Sequence, residues 1–316
     1  MRLADDHAGE HAAELSTLAY SAFMNMALRG LSYLPYRLRR SGLRLTFVCL
    51  RPILASYVTD RMVNIFAAIL ASSRRESRLF TYRKLRHDMV ALSEWMALGR
   101  RSTGGLTRDI SHLSTDFGDD LTWLASQRGA VIGTLHFGPY ALGLAWLIRR
   151  YFNDHKIIIF KNEDSRDESR AIARLKDIGA DVEFVSPKAL AELPRITREI
   201  RQGAVAIIMV DMPPQIGRTD AFDLLGRPVS IATGAVDLAA LARAPLMLLR
   251  TREGVKGDRV EIGEIFDIGR QDDESRARAA SRVTRFIADT IHHYPEQWHM
   301  WERFDEYVRD HKRAAA

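Results

Sequence analysis

From Ala130 onward, short runs of aliphatic residues alternate with longer stretches whose apolar positions recur at helical spacing. AVIGTL is followed by FGPYALGLAWLIRRYF, KIIIF by SRDESRAIARLKDIG, VEFV by PKALAELPRITREIRQG, AVAIIMV by a loop and then IATGAVDLAALARA, and PLMLLR by VEIGEI. Alternation of short β-rich runs with helical stretches predicts a mainly parallel sheet with crossover helices. Upstream, residues 79–124 read as helices, with HDMVALSEWMALGR the clearest amphipathic one and STGGL a break. From about Ser275 the pattern predicts two helices, with YPEQWHMWERF between or within them. The expected fold is therefore α/β, a mainly parallel central sheet flanked by helices, preceded by an N-terminal helical membrane-associating segment. The expected division is residues 1–60 for that segment and 61–316 for the α/β domain. Trp95 and Trp123 read as core residues.

Charge sharpens the reading of the first segment. Between Glu14 and Asp60 there is no acidic residue, while Arg29, Arg37, Arg39, Arg40, Arg44 and Arg51 all fall there, interleaved with Leu, Tyr and Phe. Such a helix suits the headgroup layer of an anionic membrane, although a solvated amphipathic helix has the same composition. The net charge of +6 favours an anionic partner without choosing one. No apolar stretch is long enough to span a bilayer, the start MRLADDHAGEH does not resemble a signal peptide, and the single cysteine, Cys49, excludes an internal disulfide. The expected location is the cytoplasmic face of the inner membrane, peripherally bound.

Two positions stand out chemically. In GTLHFGPY, His136 follows a predicted strand and precedes a helix that can start at Pro139, at the sheet edge where α/β proteins bind ligands. Gly138 permits close backbone approach there, and backbone N–H groups near Gly138 and Tyr140 are candidates to face an oxyanion. Asp211 follows the strand AVAIIMV directly, so it reaches the same edge, where a carboxylate can orient a histidine base. Alternatively, His136 caps the sheet edge and Asp211 caps a loop or pairs with Arg218. No G-x-S-x-G elbow, phosphate-binding loop or dinucleotide fingerprint is present, and HHYPEQWH matches no usual zinc spacing, so no metal is expected. No aromatic-basic signature suggests nucleic acid.

Four ordered pieces, SYLPYRLRR, GTLHFGPYALG, MVDMPPQIGRTDAFDLLGRPVSIATGAVDLA and YPEQWHMWERF, resemble the bacterial lipid A biosynthesis acyltransferase family, and together they span most of the chain. The resemblance implies acyl transfer from an acyl carrier protein or coenzyme A thioester, as substrate rather than cofactor, onto a hydroxyl or amine of a lipid A-like acceptor, with His136 as the catalytic base. The family places an acid beyond its histidine with four or five residues intervening; here those places hold Ala141 and Leu142. Asp211 is the expected substitute. Lys161, Asn162 and Arg174 match a basic region of the family and, with Arg218, are expected to hold substrate phosphates. Trp298, Trp301 and Arg303 of the terminal block are expected to be structural, the arginine pairing with a buried acid. Two other readings stay open: carrier-dependent acyl or aminoacyl transfer to a small molecule, and a lipid-binding protein without catalysis.

Overall fold

A computed structural model describes residues 26–308 except 57, 162–165, 178, 216–217 and 270–271. Residues 1–25 of the expected N-terminal segment and Asn162 lie outside the described residues. The described residues form eight strands: β1 (Ala130–Thr134), β2 (Lys156–Phe160), β3 (Asp181–Val185), β4 (Val205–Met209), β5 (Thr219–Leu224), β6 (Arg227–Ala232), β7 (Leu246–Arg252) and β8 (Arg259–Phe266). Six of them make one sheet in the order β3-β2-β4-β1-β7-β8, parallel throughout except for the antiparallel edge strand β8.

The continuous apolar runs are explained by a sheet covered on both sides. Successive side chains alternate faces: Val131, Ile158, Ala206, Leu246 and Leu248 enter one core, while Ile132, Ile157, Ile159, Val205, Ile207, Met247 and Leu249 enter the other. Helices Gly234–Ala242 and Asp273–His293 cover the first face, and helices Thr103–Ile110 and Tyr140–Tyr151 the second. The connection leaving β1 thus begins on one face and that leaving β4 on the other. A crevice opens above the C-terminal ends of these neighbouring strands.

One expected element needs correction. The stretch between AVAIIMV and IATGAVDLAALARA, read as loop, contains the antiparallel hairpin β5–β6. Its turn is closed by Leu225 and Gly226, with φ of 55° and 78°, as a two-residue hairpin turn requires. A leucine in the left-handed position hides this turn from a reading that looks for Asn-Gly or Gly-Gly. The C-terminal region forms one long helix, Asp273–His293, followed by 3₁₀ turns at Pro295–Gln297 and Trp301–Arg303 and the short helix Phe304–Tyr307. Pro295 forces the preceding Tyr294 out of helical conformation (φ −143°, ψ 62°) and ends the helix there.

The helix Tyr36–Cys49 is amphipathic in an unexpected sense. Its inward face buries Leu43 and Phe47 together with Arg39 and Arg40. Arg40 bonds Glu94 at 2.7 Å and Asp258 at 2.7 Å, Arg39 bonds Glu94 and Asp109, and Arg101 joins Asp109 at 3.0 Å. These two arginines are internal tethers to helix Arg74–Arg100, not headgroup ligands. The outward face carries Leu38, Leu45 and Val48, the last 72% exposed, with Arg37 and Arg44 alongside. Among the described residues no helix is long and apolar enough to cross a membrane.

Candidate active site

The β1–β4 ladder delivers two side chains to the crevice. Thr134 pairs with Met209 at the end of both strands, and the Val210 N–H extends the ladder by donating to Thr134 O at 2.8 Å. Beyond this point the chains diverge, with His136 and Asp211 facing each other. His136 Nδ1 lies 2.9 Å from Asp211 Oδ1, and the His136 backbone N–H donates to Oδ2 at 2.9 Å. The Trp298 indole N–H donates to the same Oδ2 at 2.9 Å, and the Tyr307 hydroxyl donates to the Asp211 backbone carbonyl at 2.6 Å.

Asp211 is completely buried. Burial raises a carboxyl pKa, but the His136 charge and the hydrogen bonds from His136 and Trp298 outweigh it and hold Asp211 below the usual aspartate range. An ionised carboxylate only accepts hydrogen bonds, so the shared proton sits on His136 Nδ1, and in the neutral tautomer that this selects the lone pair is on Nε2.

The loop bearing His136 is fastened by the segment after the last long helix. Gly138 N–H donates to Gln297 O at 2.9 Å, His299 N–H donates to His136 O at 2.9 Å, and Phe137 pairs antiparallel with Trp298. Gln297 also reaches across to the end of β7, its amide accepting from Glu253 N–H at 2.8 Å and donating to Glu253 O at 3.2 Å. Gly138, at φ +54°, has no room for a side chain: a Cβ would lie 2.2 Å from Thr251 O. The Pro-Glu-Gln-Trp block thus forms a strap across the turn that carries His136.

His136, 22% exposed at its side chain, lines a cleft of about 730 Å³. The walls are aliphatic and aromatic: Ala141, Leu144 and Ala145 from one face of the sheet, Leu238 and Leu241 from the other, and Ile159, Phe184, Leu193 and Ile208 below. Trp95 and Tyr140 stand near the histidine, with the Tyr140 ring edge-on to it at 5.6 Å between centroids. Burial, with a contribution from the Asp211 charge, pushes the Tyr140 phenol up to about 12, so it stays protonated at neutral pH. Among the described residues no group of three or more His, Cys, Asp or Glu is placed to hold a metal ion.

The family model described as bacterial lipid A biosynthesis acyltransferase matches residues 105–304, which include β1, β4, the dyad and the strap. The chain belongs to this family. No curated protein matches it. It is an acyltransferase, and its family points to acyl transfer onto a lipid-like acceptor.

Within the acyltransferase, the residues singled out from sequence separate clearly. His136, Tyr140, Lys161 and Arg218 line the cleft, and Asp211 backs it. The Lys161 ammonium sits 5.4 Å from the Trp95 ring centroid, and Arg218 pairs with Asp273 at the exposed rim, 3.2 Å apart. Arg174 is not in the cleft; it bonds Asp177 at 2.9 Å on its own helix and Thr103 at 3.4 Å. Gly138 cannot present its N–H to an oxyanion, because Gln297 O already accepts that proton. Arg303 lines the cleft and pairs with Glu306, which is exposed, instead of a buried acid. Trp95 packs partly buried against the core as expected and also lines the cleft, whereas Trp123 is 48% exposed and is not the core residue expected. Trp298 was expected to be structural, and it touches the dyad carboxylate directly. No spacing rule reveals this, since Trp298 lies 87 positions from Asp211.

Proposed function

We propose that the acyltransferase moves a fatty acyl group from a carrier-protein or coenzyme A thioester onto a hydroxyl of a lipid-like acceptor, with His136 as general base and Asp211 as its orienting acid. The observation that carries this reading is a His–Asp pair opening into an apolar cleft. His136 Nε2 takes the proton of the acceptor hydroxyl as its oxygen attacks the thioester carbonyl. The imidazolium so formed is stabilised by Asp211, and the collapse of the tetrahedral intermediate breaks the C–S bond, the leaving thiolate receiving the proton back from His136. With the Gly138 amide taken up by the strap, negative charge on the carbonyl oxygen is met instead by the Tyr140 hydroxyl and the start of helix Tyr140–Tyr151, whose first N–H groups have no side-chain cap.

The acyl chain occupies the aliphatic walls, and Lys161, Arg218 and Arg303 at the cleft suit the phosphates of donor or acceptor. The outward apolar face of helix Tyr36–Cys49, flanked by Arg37 and Arg44, suits peripheral docking on an anionic membrane. Retention of the buried dyad favours catalysis over a purely lipid-binding role, and the aliphatic lining favours a fatty acyl group over an aminoacyl group.

The test is mass spectrometry of the protein incubated with acyl carrier and coenzyme A thioesters and lipid acceptors. His136→Ala is expected to lower transfer about a hundredfold or more while leaving the thermal midpoint close to that of the wild type. Transfer indifferent to this substitution would exclude His136 as the base.

A further inference from the structure

We infer that His299 is a positioning residue for His136, a side-chain clamp that holds the His136–Gly138 turn and is itself held by Asp88 of helix Arg74–Arg100. The inference rests on the reading of His136 as the base.

His299 grips both carbonyls that flank Phe137. Its backbone N–H donates to His136 O at 2.9 Å, and its ring Nε2 lies 2.9 Å from Gly138 O. Its other ring nitrogen, Nδ1, lies 2.7 Å from Asp88 Oδ1. Both of these partners are acceptors, a carbonyl and a carboxylate, so each ring nitrogen must carry its proton for both bonds to exist. Asp88 is fixed in turn by Lys84, which is 2% exposed at its side chain and also reaches Glu302 at 2.8 Å. The groups facing the His299 ring are thus Asp88 with Lys84 behind it, the Gly138 carbonyl, and the Tyr140 ring at 6.1 Å between centroids.

An ordinary antiparallel bridge uses backbone groups alone. Here a side-chain bond is added at Gly138 O, on the residue whose left-handed conformation turns the chain from His136 into helix Tyr140–Tyr151. Without it, the turn that sets the Tyr140 ring and the His136 backbone is held at this end by backbone bonds alone. Small displacements of a general base are costly because proton transfer demands hydrogen-bond distance. The clamp therefore acts on turnover and leaves the aliphatic walls that take the acyl chain, and so substrate affinity, alone.

The experiment compares His299→Gln, His299→Asn and Asp88→Asn with wild type, using the full chain. Steady-state transfer separates kcat from KM, and ¹⁵N NMR of histidine-labelled protein reports the ring protons. Wild-type His299 is expected to show protons on both nitrogens. Gln places a donor near the Nε2 position and is expected to keep kcat within about threefold. His299→Asn, which keeps only the Asp88 side, and Asp88→Asn, which removes the charge that favours a proton on both ring nitrogens, are expected to lower kcat about tenfold or more at unchanged KM, and to broaden the His136 Nδ1–H signal. Folded variants that all retain full kcat and an unchanged His136 signal would overturn the proposal. So would a singly protonated His299 in wild type. If His136→Ala remains active while His299→Asn still broadens the His136 signal in otherwise wild-type protein, the base assignment fails but the clamp stands.

Discussion

Asp211 accepts hydrogen bonds from two distant parts of the chain, His136 and Trp298, and has lost all contact with solvent. One consequence concerns Ala141, which stands where the family's acid is expected and lines the cleft at 2% exposure. His136 Nδ1 already has its carboxylate, so Ala141→Glu places a second, unpaired acid in an apolar wall. The expected outcome is no gain in transfer rate and a loss of stability of about 1–3 kcal/mol, read from denaturant unfolding beside the activity assay. A rise in activity would show that Asp211 is an incomplete substitute. Both members of the dyad were legible as residues, because each follows a strand whose apolar run is unmistakable. Their contact was not, since it depends on β1 and β4 being neighbours, and nothing in either run specifies its partner strand.

Helix Tyr36–Cys49 divides its arginines between two kinds of work. Arg39 is wholly buried against Glu94 and Asp109, and removing one partner of a buried pair leaves a charge without compensation. Arg39→Ala is expected to cost about 3–5 kcal/mol in an unfolding titration. On the opposite face, Leu45→Glu with Val48→Glu is expected to reduce co-sedimentation with anionic vesicles severalfold while leaving the thermal midpoint unchanged; undiminished binding would place membrane contact elsewhere. Composition could not distinguish these two faces. The run without acids predicted a cationic, greasy helix, but the acids that neutralise Arg39 and Arg40 come from Glu94, Asp109 and Asp258, far along the chain. Gly143 shows the same limit, because its place in helix Tyr140–Tyr151 is explained only by β7: a Cβ there would lie 1.9 Å from Thr251 Oγ1.

Across the molecule, Asp88, Asp211 and Glu253 are each held below the ordinary carboxyl range, burial working upward on all three and neighbouring cations and donors prevailing. The unfolded chain then binds more protons in acid than the folded one. This stabilisation is complete above about pH 5 and is lost as pH falls through about 4 and below. Calorimetry at stepped pH is expected to show a thermal midpoint that drops steeply below about pH 4. Sheet, helices and their order were legible because the alternation of apolar runs reports two-sided burial directly. The cleft walls were not, because Ala145, Leu238 and Trp95 look in sequence like any other core residue. The strap formed by Gln297, Trp298 and His299 sets an order of events during synthesis. The sheet strands that frame the cleft are all translated by Phe266, whereas Gln297, Trp298 and His299, which fasten His136 and reach Asp211, follow them. A growing chain can therefore pair its strands before its histidine is locked in place, and a protein cut just before Pro295 loses the fastening of that histidine together with the buried Trp298, Trp301 and Tyr307 that pack on the sheet.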